Sequence, residues 1–285
     1  MRTTVVGAHG QLGGELLALL DGPVAAFGRD AVDIANLASV RQALQDAAPE
    51  LVINTAAYNF VDKAEDEPEV AYSVNALGPR NLALVCAELG VRLVHVSTDY
   101  VYGLESGRTA AYTEDDSPGP VSSYGTSKLA GEYYVRTHCP QHYVLRTCGL
   151  YGNRAAGQGK GNFVKKMLQL GREREELTVV DDQWCTPTST LDLARAIVAL
   201  VQTSHFGLYH ATNSGRTTWC GFAREIFRLT GLTTRVRAIA SSEFRAKARR
   251  PPFSVLDSGR LANAIGREMP SWPAALAEFL AGSAN

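Results

Sequence analysis

Long hydrophobic runs are missing from this chain. No apolar stretch approaches the roughly 18 residues that a membrane-spanning helix needs, which excludes a helical anchor. Excess charge is missing too: 28 Lys and Arg stand against 29 Asp and Glu, for a formal net charge of -1. Such a chain exerts no long-range attraction on nucleic acid or an anionic membrane surface, and neither is expected as a partner. Cysteine is sparse and unpaired, with Cys86, Cys139, Cys148, Cys185 and Cys220 scattered and no CxxC among them. An odd number spread through a large domain fits reduced thiols, so no disulfide is expected. Metal-binding clusters are also scarce. His138-Cys139-Pro140-Gln141-His142 offers ligand types, but Pro140 breaks the helical face that an i, i+4 ligand pair requires, and no metal is expected. Met1-Arg2 leads straight into an apolar run, which leaves no room for a leader peptide and suggests a cytoplasmic protein.

What is present begins with glycine. Thr3-Thr-Val-Val-Gly7-Ala-His-Gly10-Gln-Leu-Gly13 followed by an apolar stretch to Leu20 reads as a β-branched strand, a glycine turn and a helix. In that context Gly7 permits the sharp turn, Gly10 lets backbone N–H groups approach a pyrophosphate, and Gly13 lets the helix pack closely on the sheet. The helix N-terminus then favours the anion. Gln11 and Leu12, within the same turn, are cofactor-lining candidates. Glycines at this spacing also occur in ordinary turns, and the flanking strand and helix are what favour the dinucleotide reading.

Chemistry enters at Tyr124-Gly-Thr-Ser-Lys128. With Ser122 or Ser123 as N-cap, the i, i+4 spacing puts Tyr124 and Lys128 on one helix face. A neighbouring ammonium favours the phenolate, so the expectation is a Tyr124 pKa below its ordinary value of about 10. A third hydroxyl belongs to Thr98, where Val91-Arg-Leu-Val-His-Val96 reads as a buried strand and Ser97-Thr98-Asp99-Tyr100 lies at its carboxyl end. Open parallel sheets bind ligands there. Thr98 is placed to donate to a substrate carbonyl, whereas Ser97 and Asp99 serve equally well as loop caps.

Strand-like runs near 3–7, 24–27, 51–54, 91–96 and 142–147 alternate with helical ones near 12–20, 39–48, 69–89 and 123–137. The alternation predicts an α/β fold, a Rossmann-type doubly wound parallel sheet. At 285 residues and 45% hydrophobic, the chain can bury a substantial core. The Gly-rich stretch from Gly152 to Gly161 reads as a mobile loop and boundary. Residues 1–150 then form a dinucleotide-binding domain, and 151–285 a smaller mixed α/β substrate domain from which a segment near 189–202 returns to the first. Trp219 and Trp272 are read as core.

These motifs, with Asn54-Thr-Ala-Ala-Tyr-Asn-Phe-Val-Asp-Lys-Ala-Glu65, Arg146-Thr147, Gly161-Asn-Phe163, Asp182-Gln183, Pro187-Thr188 and Ala248-Arg-Arg-Pro251, carry a resemblance that runs nearly end to end. The chain resembles the extended short-chain dehydrogenase/reductases, and within them the dTDP-4-dehydrorhamnose reductase family. The resemblance implies a catalytic triad of Thr98, Tyr124 and Lys128, substrate contacts at Asp99 and Tyr100, and NAD(P)H-dependent reduction of the C4 keto group of dTDP-4-dehydro-L-rhamnose. It departs from the pattern at Gly149, where some relatives carry a sugar-packing tryptophan. Some relatives also dimerise through magnesium, but no residue here matches that site. Monomer and homodimer both stay open. So do two other activities: an epimerase or dehydratase that recycles tightly bound NAD, and a regulatory subunit resembling methionine adenosyltransferase beta.

Cofactor choice turns on Phe27-Gly28-Arg29-Asp30, because arginine accommodates the 2′-phosphate of NADP and a carboxylate the ribose of NAD. Arg29 comes first after the strand, which favours NADPH, with NADH permitted. Asp33, Ile34, Ala56, Ala57 and Tyr58 are further cofactor-lining candidates, each equally readable as turn or strand-end packing. For the nucleotide-sugar, Asn162, Arg249, Arg250 and Lys160 supply the donors a diphosphate needs. The run Arg245–Arg250 is otherwise a solvated face.

Overall fold

The computed structural model describes residues 1–154 and 161–282. The first half alternates strand and helix: β1 (Thr3–Val6), α1 (Gln11–Leu19), β2 (Val24–Phe27), α2 (Leu37–Ala47), β3 (Leu51–Asn54), α3 (Pro68–Tyr72), α4 (Gly78–Leu89), β4 (Arg92–Thr98), α5 (Ser123–His138) and β5 (His142–Thr147). Next come β6 (Leu150–Tyr151), α6 (Phe163–Glu173), β7 (Glu176–Val180), β8 (Trp184–Cys185), β9 (Thr188–Ser189), α7 (Thr190–Leu200), β10 (Gly207–His210) and β11 (Thr217–Thr218). The chain continues through α8 (Trp219–Thr230), β12 (Arg235–Ile239), α9 (Gly259–Ile265) and α10 (Trp272–Gly282).

Six strands form one parallel sheet in the order β10-β5-β4-β3-β1-β2. The order reverses beside β1, so a crevice opens beyond the carboxyl ends of β1 and β3, where doubly wound sheets bind ligands. β1 and β3 are buried along their whole length, as strands covered on both faces must be. One face packs Val5, Ile53, Val94 and Leu145 against Leu12 and Leu16 of α1 and Leu193 and Ile197 of α7. The other packs Val6, Val52, Leu93 and Val144 against α2, α4 and α5 through Val40, Leu82 and Val135. A separate cluster joins α6, α8 and α10 to the parallel β7–β12 pair through Met167, Phe222, Ile226 and Leu276.

Two features differ from the sequence expectation. The sixth strand, Gly207–His210, is short and half polar, and β-periodicity does not single it out. The helix expected over 69–89 is instead two α-helices joined by a π-helical turn, Ser73–Leu77. Pro79 explains the break: it has no N–H for the Asn75 carbonyl four residues back, and its ring crowds that carbonyl, so the turn widens. No described helix is long and apolar enough to cross a membrane.

Candidate active site

The glycine turn is shaped by atoms it cannot accommodate. Gly7 has φ +81, and a Cβ on it would lie 2.6 Å from the Ala56 backbone nitrogen. A Cβ on Gly13 would lie 2.5 Å from the Gly7 carbonyl oxygen, so glycine alone lets α1 approach the loop this closely. Gly10 is exposed, and among the described residues the only heavy atom near a Cβ there is its own turn's Gly7 oxygen at 3.3 Å. It is the N-cap of α1 and contributes no side-chain cap to the first helical N–H groups. This cradle fits a dinucleotide pyrophosphate. Asn54 Oδ1 accepts from Ala56 N at 3.1 Å and fixes the opposite wall.

Not every candidate in this region faces the crevice. Leu12 is buried in the core beneath α1. Gln11 Oε1 accepts from Gly152 N at 2.8 Å and from Asn162 Nδ2 at 2.7 Å. Asn162 in turn caps α6, its Oδ1 accepting from Lys165 N at 3.0 Å. These two residues, expected on cofactor and substrate respectively, therefore hold each other and tie α1 to α6. Asp33 forms an Asx turn to Ala35 N, and Ile34 is buried with its side chain against Gly78. Arg29 and Asp30 are exposed just past β2. Tyr58 is buried, and its hydroxyl donates to Glu67 at 3.1 Å. Ala57 is half-buried. Lys160 and the rest of 155–160, the middle of the stretch from Gly152 to Gly161 expected to be mobile, lie outside the described residues.

Thr98 and Tyr124 come together, and Lys128 lies one helical turn beyond Tyr124 on α5. Ser122 caps α5, its Oγ accepting from Gly125 N at 3.1 Å, and a side chain on Gly125 would strike the Tyr100 carbonyl. That close approach seats Tyr124 against the end of β4, where its phenol lies beside the Thr98 side chain. Lys128 is buried and donates to the Val96 carbonyl at 2.7 Å. The electrostatics reverse the sequence expectation for the tyrosine. Burial pushes the Tyr124 phenol up to about 12, the Thr98 side chain opposing and Asp99 reinforcing that shift. Desolvation decides the shift, and Lys128 is not among its causes; burial lowers the lysine's own pKa to about 8 while Glu132 holds it up. Tyr124 is thus a phenol, a proton donor, throughout the neutral range.

Asp99 and Tyr100 divide their roles. Asp99 is buried and its carboxylate accepts from Thr98 Oγ1 at 3.1 Å and Ser254 Oγ at 2.6 Å, so it orients Thr98 rather than reaching outward. The Tyr100 ring stands edge-on to Tyr124, with centroids 5.8 Å apart and planes at 80°. Its hydroxyl lies close to the Arg250 guanidinium, while Arg249 is exposed.

Sequence reasoning missed two elements. Asn75, on the π turn, accepts from Tyr58 N at 2.8 Å and donates to Tyr58 O at 2.9 Å and Ser127 Oγ at 3.0 Å, tying α5 to the loop after β3. The Gly78-Pro79 pair inside a helical run is the signal that would have found it. Beneath Lys128 lies a buried ion pair: Arg146 donates to both oxygens of Glu132, at 2.7 Å from Nη2, while Ser97 Oγ donates to Glu132 at 2.5 Å. Arg146 Nη1 also donates to the Tyr102 hydroxyl at 2.6 Å. Gly149, at φ +53, turns the chain after β5, and a Cβ there would lie 3.1 Å from the Trp219 indole. Trp219 is only half-buried and thus closes on the position that Gly149 leaves small.

The family model for the RmlD substrate binding domain matches residues 1–284. The chain belongs to this family. Its relatives include a dTDP-4-dehydrorhamnose reductase from Streptomyces griseus, 44% identical over 97% of this chain and 92% of that protein. Among solved structures, the family fold recurs in a dTDP-4-dehydrorhamnose reductase from Clostridium acetobutylicum, at TM-score 0.94 and 38% identity, with both chains covered completely. The same enzyme from Bacillus anthracis, solved in complex with NADP, superposes at TM-score 0.92 with 38% identity over 99% of each chain.

Proposed function

We propose that this chain is an NADPH-dependent reductase of a nucleotide-linked 4-keto-6-deoxy sugar, with dTDP-4-dehydro-L-rhamnose as substrate and dTDP-L-rhamnose as product. The single observation that carries the reading is that Tyr124 and Thr98 interact at the carboxyl end of β4, with buried Lys128 one turn further along α5, at the same end of the sheet as the glycine cradle. NADPH held by that cradle would supply hydride to the sugar C4. Thr98 polarises the keto oxygen, and Tyr124 gives that oxygen its proton. A phenol held near 12 suits this direction, because the group must carry its proton when hydride arrives. Lys128 keeps an ammonium at the base of the site and binds the nicotinamide ribose. Arg29 pairs with the 2′-phosphate, which makes NADPH the preferred cofactor and leaves NADH usable.

The test is oxidation of NADPH, followed by its absorbance, on addition of dTDP-4-dehydro-L-rhamnose. Wild-type protein should consume cofactor in proportion to sugar, and Tyr124→Phe should bind cofactor but consume it about 10²-fold more slowly. No consumption by wild type with either NADPH or NADH would sink the assignment.

A further inference from the structure

The segment Val61-Asp62-Lys63-Ala64-Glu65 has no part in the chemistry above, yet two of its carboxylates bond to distant parts of the chain. It forms a single 3-10 turn, Lys63–Glu65. On one side, the Asp62 carboxylate accepts four hydrogen bonds from a strap almost two hundred residues away. Lys247 N and Ala248 N reach Oδ1 at 3.1 and 3.0 Å, and Arg250 reaches Oδ1 at 3.1 Å and Oδ2 at 2.8 Å. Asp66 adds an ion pair to Lys247. On the other side, the Glu65 carboxylate accepts from Ser123 N at 2.8 Å and Ser123 Oγ at 2.9 Å, at the first turn of α5. Tyr124 is the next residue. The strap's own Arg250 continues to the hydroxyl of Tyr100, whose ring meets Tyr124 edge-on.

We propose that Asp62 and Glu65 are positioning residues that hold the substrate side of the site and the catalytic helix in one register. Asp62 fixes where the strap 247–250 and Tyr100 lie, Glu65 fixes the first turn of α5, and the rigid turn between them sets the separation. Carboxylates suit the task because each bonds two or more donors at once, and charge-assisted hydrogen bonds are about twice as strong as neutral ones. The Arg250 guanidinium, with the backbone donors of Ala248 and Lys247, holds the Asp62 carboxyl below its ordinary range. The sugar phosphates and the reacting hydroxyl are thereby located by separate segments of chain, and a misplacement of about 1 Å between such parts can lower a rate about 10²-fold.

The inference rests on the reductase reading, and its test separates the two. Asp62→Asn, which keeps shape and removes charge, is expected to raise KM for the nucleotide-sugar about tenfold with kcat changed less than about threefold. Its NADP+ dissociation constant should not change. Glu65→Gln is expected to lower kcat about fivefold with KM nearly unchanged. Asp62→Glu, which retains the carboxylate, should recover most of the lost KM. If Asp62→Asn does not fold, Ser123→Ala removes only the hydroxyl held by Glu65 and should show the same kcat loss as Glu65→Gln. Amide hydrogen exchange decides the linkage without any substrate: Asp62→Asn should speed exchange both at 247–250 and in the first turn of α5. Exchange confined to 247–250, or parallel losses in sugar KM, cofactor affinity and thermal midpoint, would overturn the proposal. A wild-type protein inactive as a reductase would instead overturn the functional reading, with the exchange result still deciding the linkage.

Discussion

The two ends of the site are built from opposite materials. At the cofactor end, the walls are backbone, and what matters is the absence of atoms: Gly7 and Gly13 sit where a single added Cβ would meet a neighbouring main chain at 2.6 and 2.5 Å. At the substrate end, the walls are side chains that carry charge. Asp62, Arg250, Asp99 and Ser254 hold the strap and Thr98 by hydrogen bonds between residues as much as 188 positions apart. One end therefore tolerates no gain of volume, and the other tolerates no loss of charge. The contrast teaches where each kind of substitution will register: in cofactor binding at the first end, in sugar binding and turnover at the second.

The largest effect expected is at the glycine end. Gly13→Val should abolish NADPH binding in a fluorescence titration and lower the thermal midpoint, because the branched side chain must displace the Gly7 carbonyl. Between the two ends, Glu132→Leu leaves Arg146 buried and unpaired and should cost about 3–5 kcal/mol of stability in urea unfolding. The double variant with Arg146→Met should recover much of that, since it removes both charges. Tyr124→Phe should lower kcat about 10²-fold with cofactor affinity retained, as loss of a general acid does. Smaller still, Arg29→Ala should shift the NADPH-to-NADH preference about tenfold, the worth of one hydrogen bond to a charged group.

The pH profile should give the finest distinction. Burial lowers Lys128 to about 8 and raises Tyr124 to about 12. As pH rises through about 8, the lysine loses its ammonium while the tyrosine keeps its proton, so kcat/KM should fall on the alkaline side with a midpoint near the lysine value. A decline that begins only near 12 would show instead that Tyr124 alone governs the limb.

The glycine end was legible because its signal is local: the strand, three glycines and a helix occupy one short run, even though the atoms that exclude a Cβ on Gly7 belong to Thr55 and Ala56. The Ser122 cap and the i, i+4 pair of Tyr124 and Lys128 were readable for the same reason. The sign of the Tyr124 shift was not, because it depends on how deeply the β4–α5 seam buries the phenol, and spacing says nothing about burial. Gln11 and Asn162 each looked like a ligand contact, and only the fold shows that they face each other across 151 positions. The role of Asp62 is likewise invisible in its own segment, since all four of its donors lie beyond residue 246.

Where the hydride goes decides the reductase assignment most directly. With NADPH deuterated on the transferred face of nicotinamide C4 and dTDP-4-dehydro-L-rhamnose as acceptor, NMR of the product should find deuterium at the sugar C4 with one oxidised cofactor released per sugar. Product lacking deuterium, or cofactor left reduced after turnover, would contradict it.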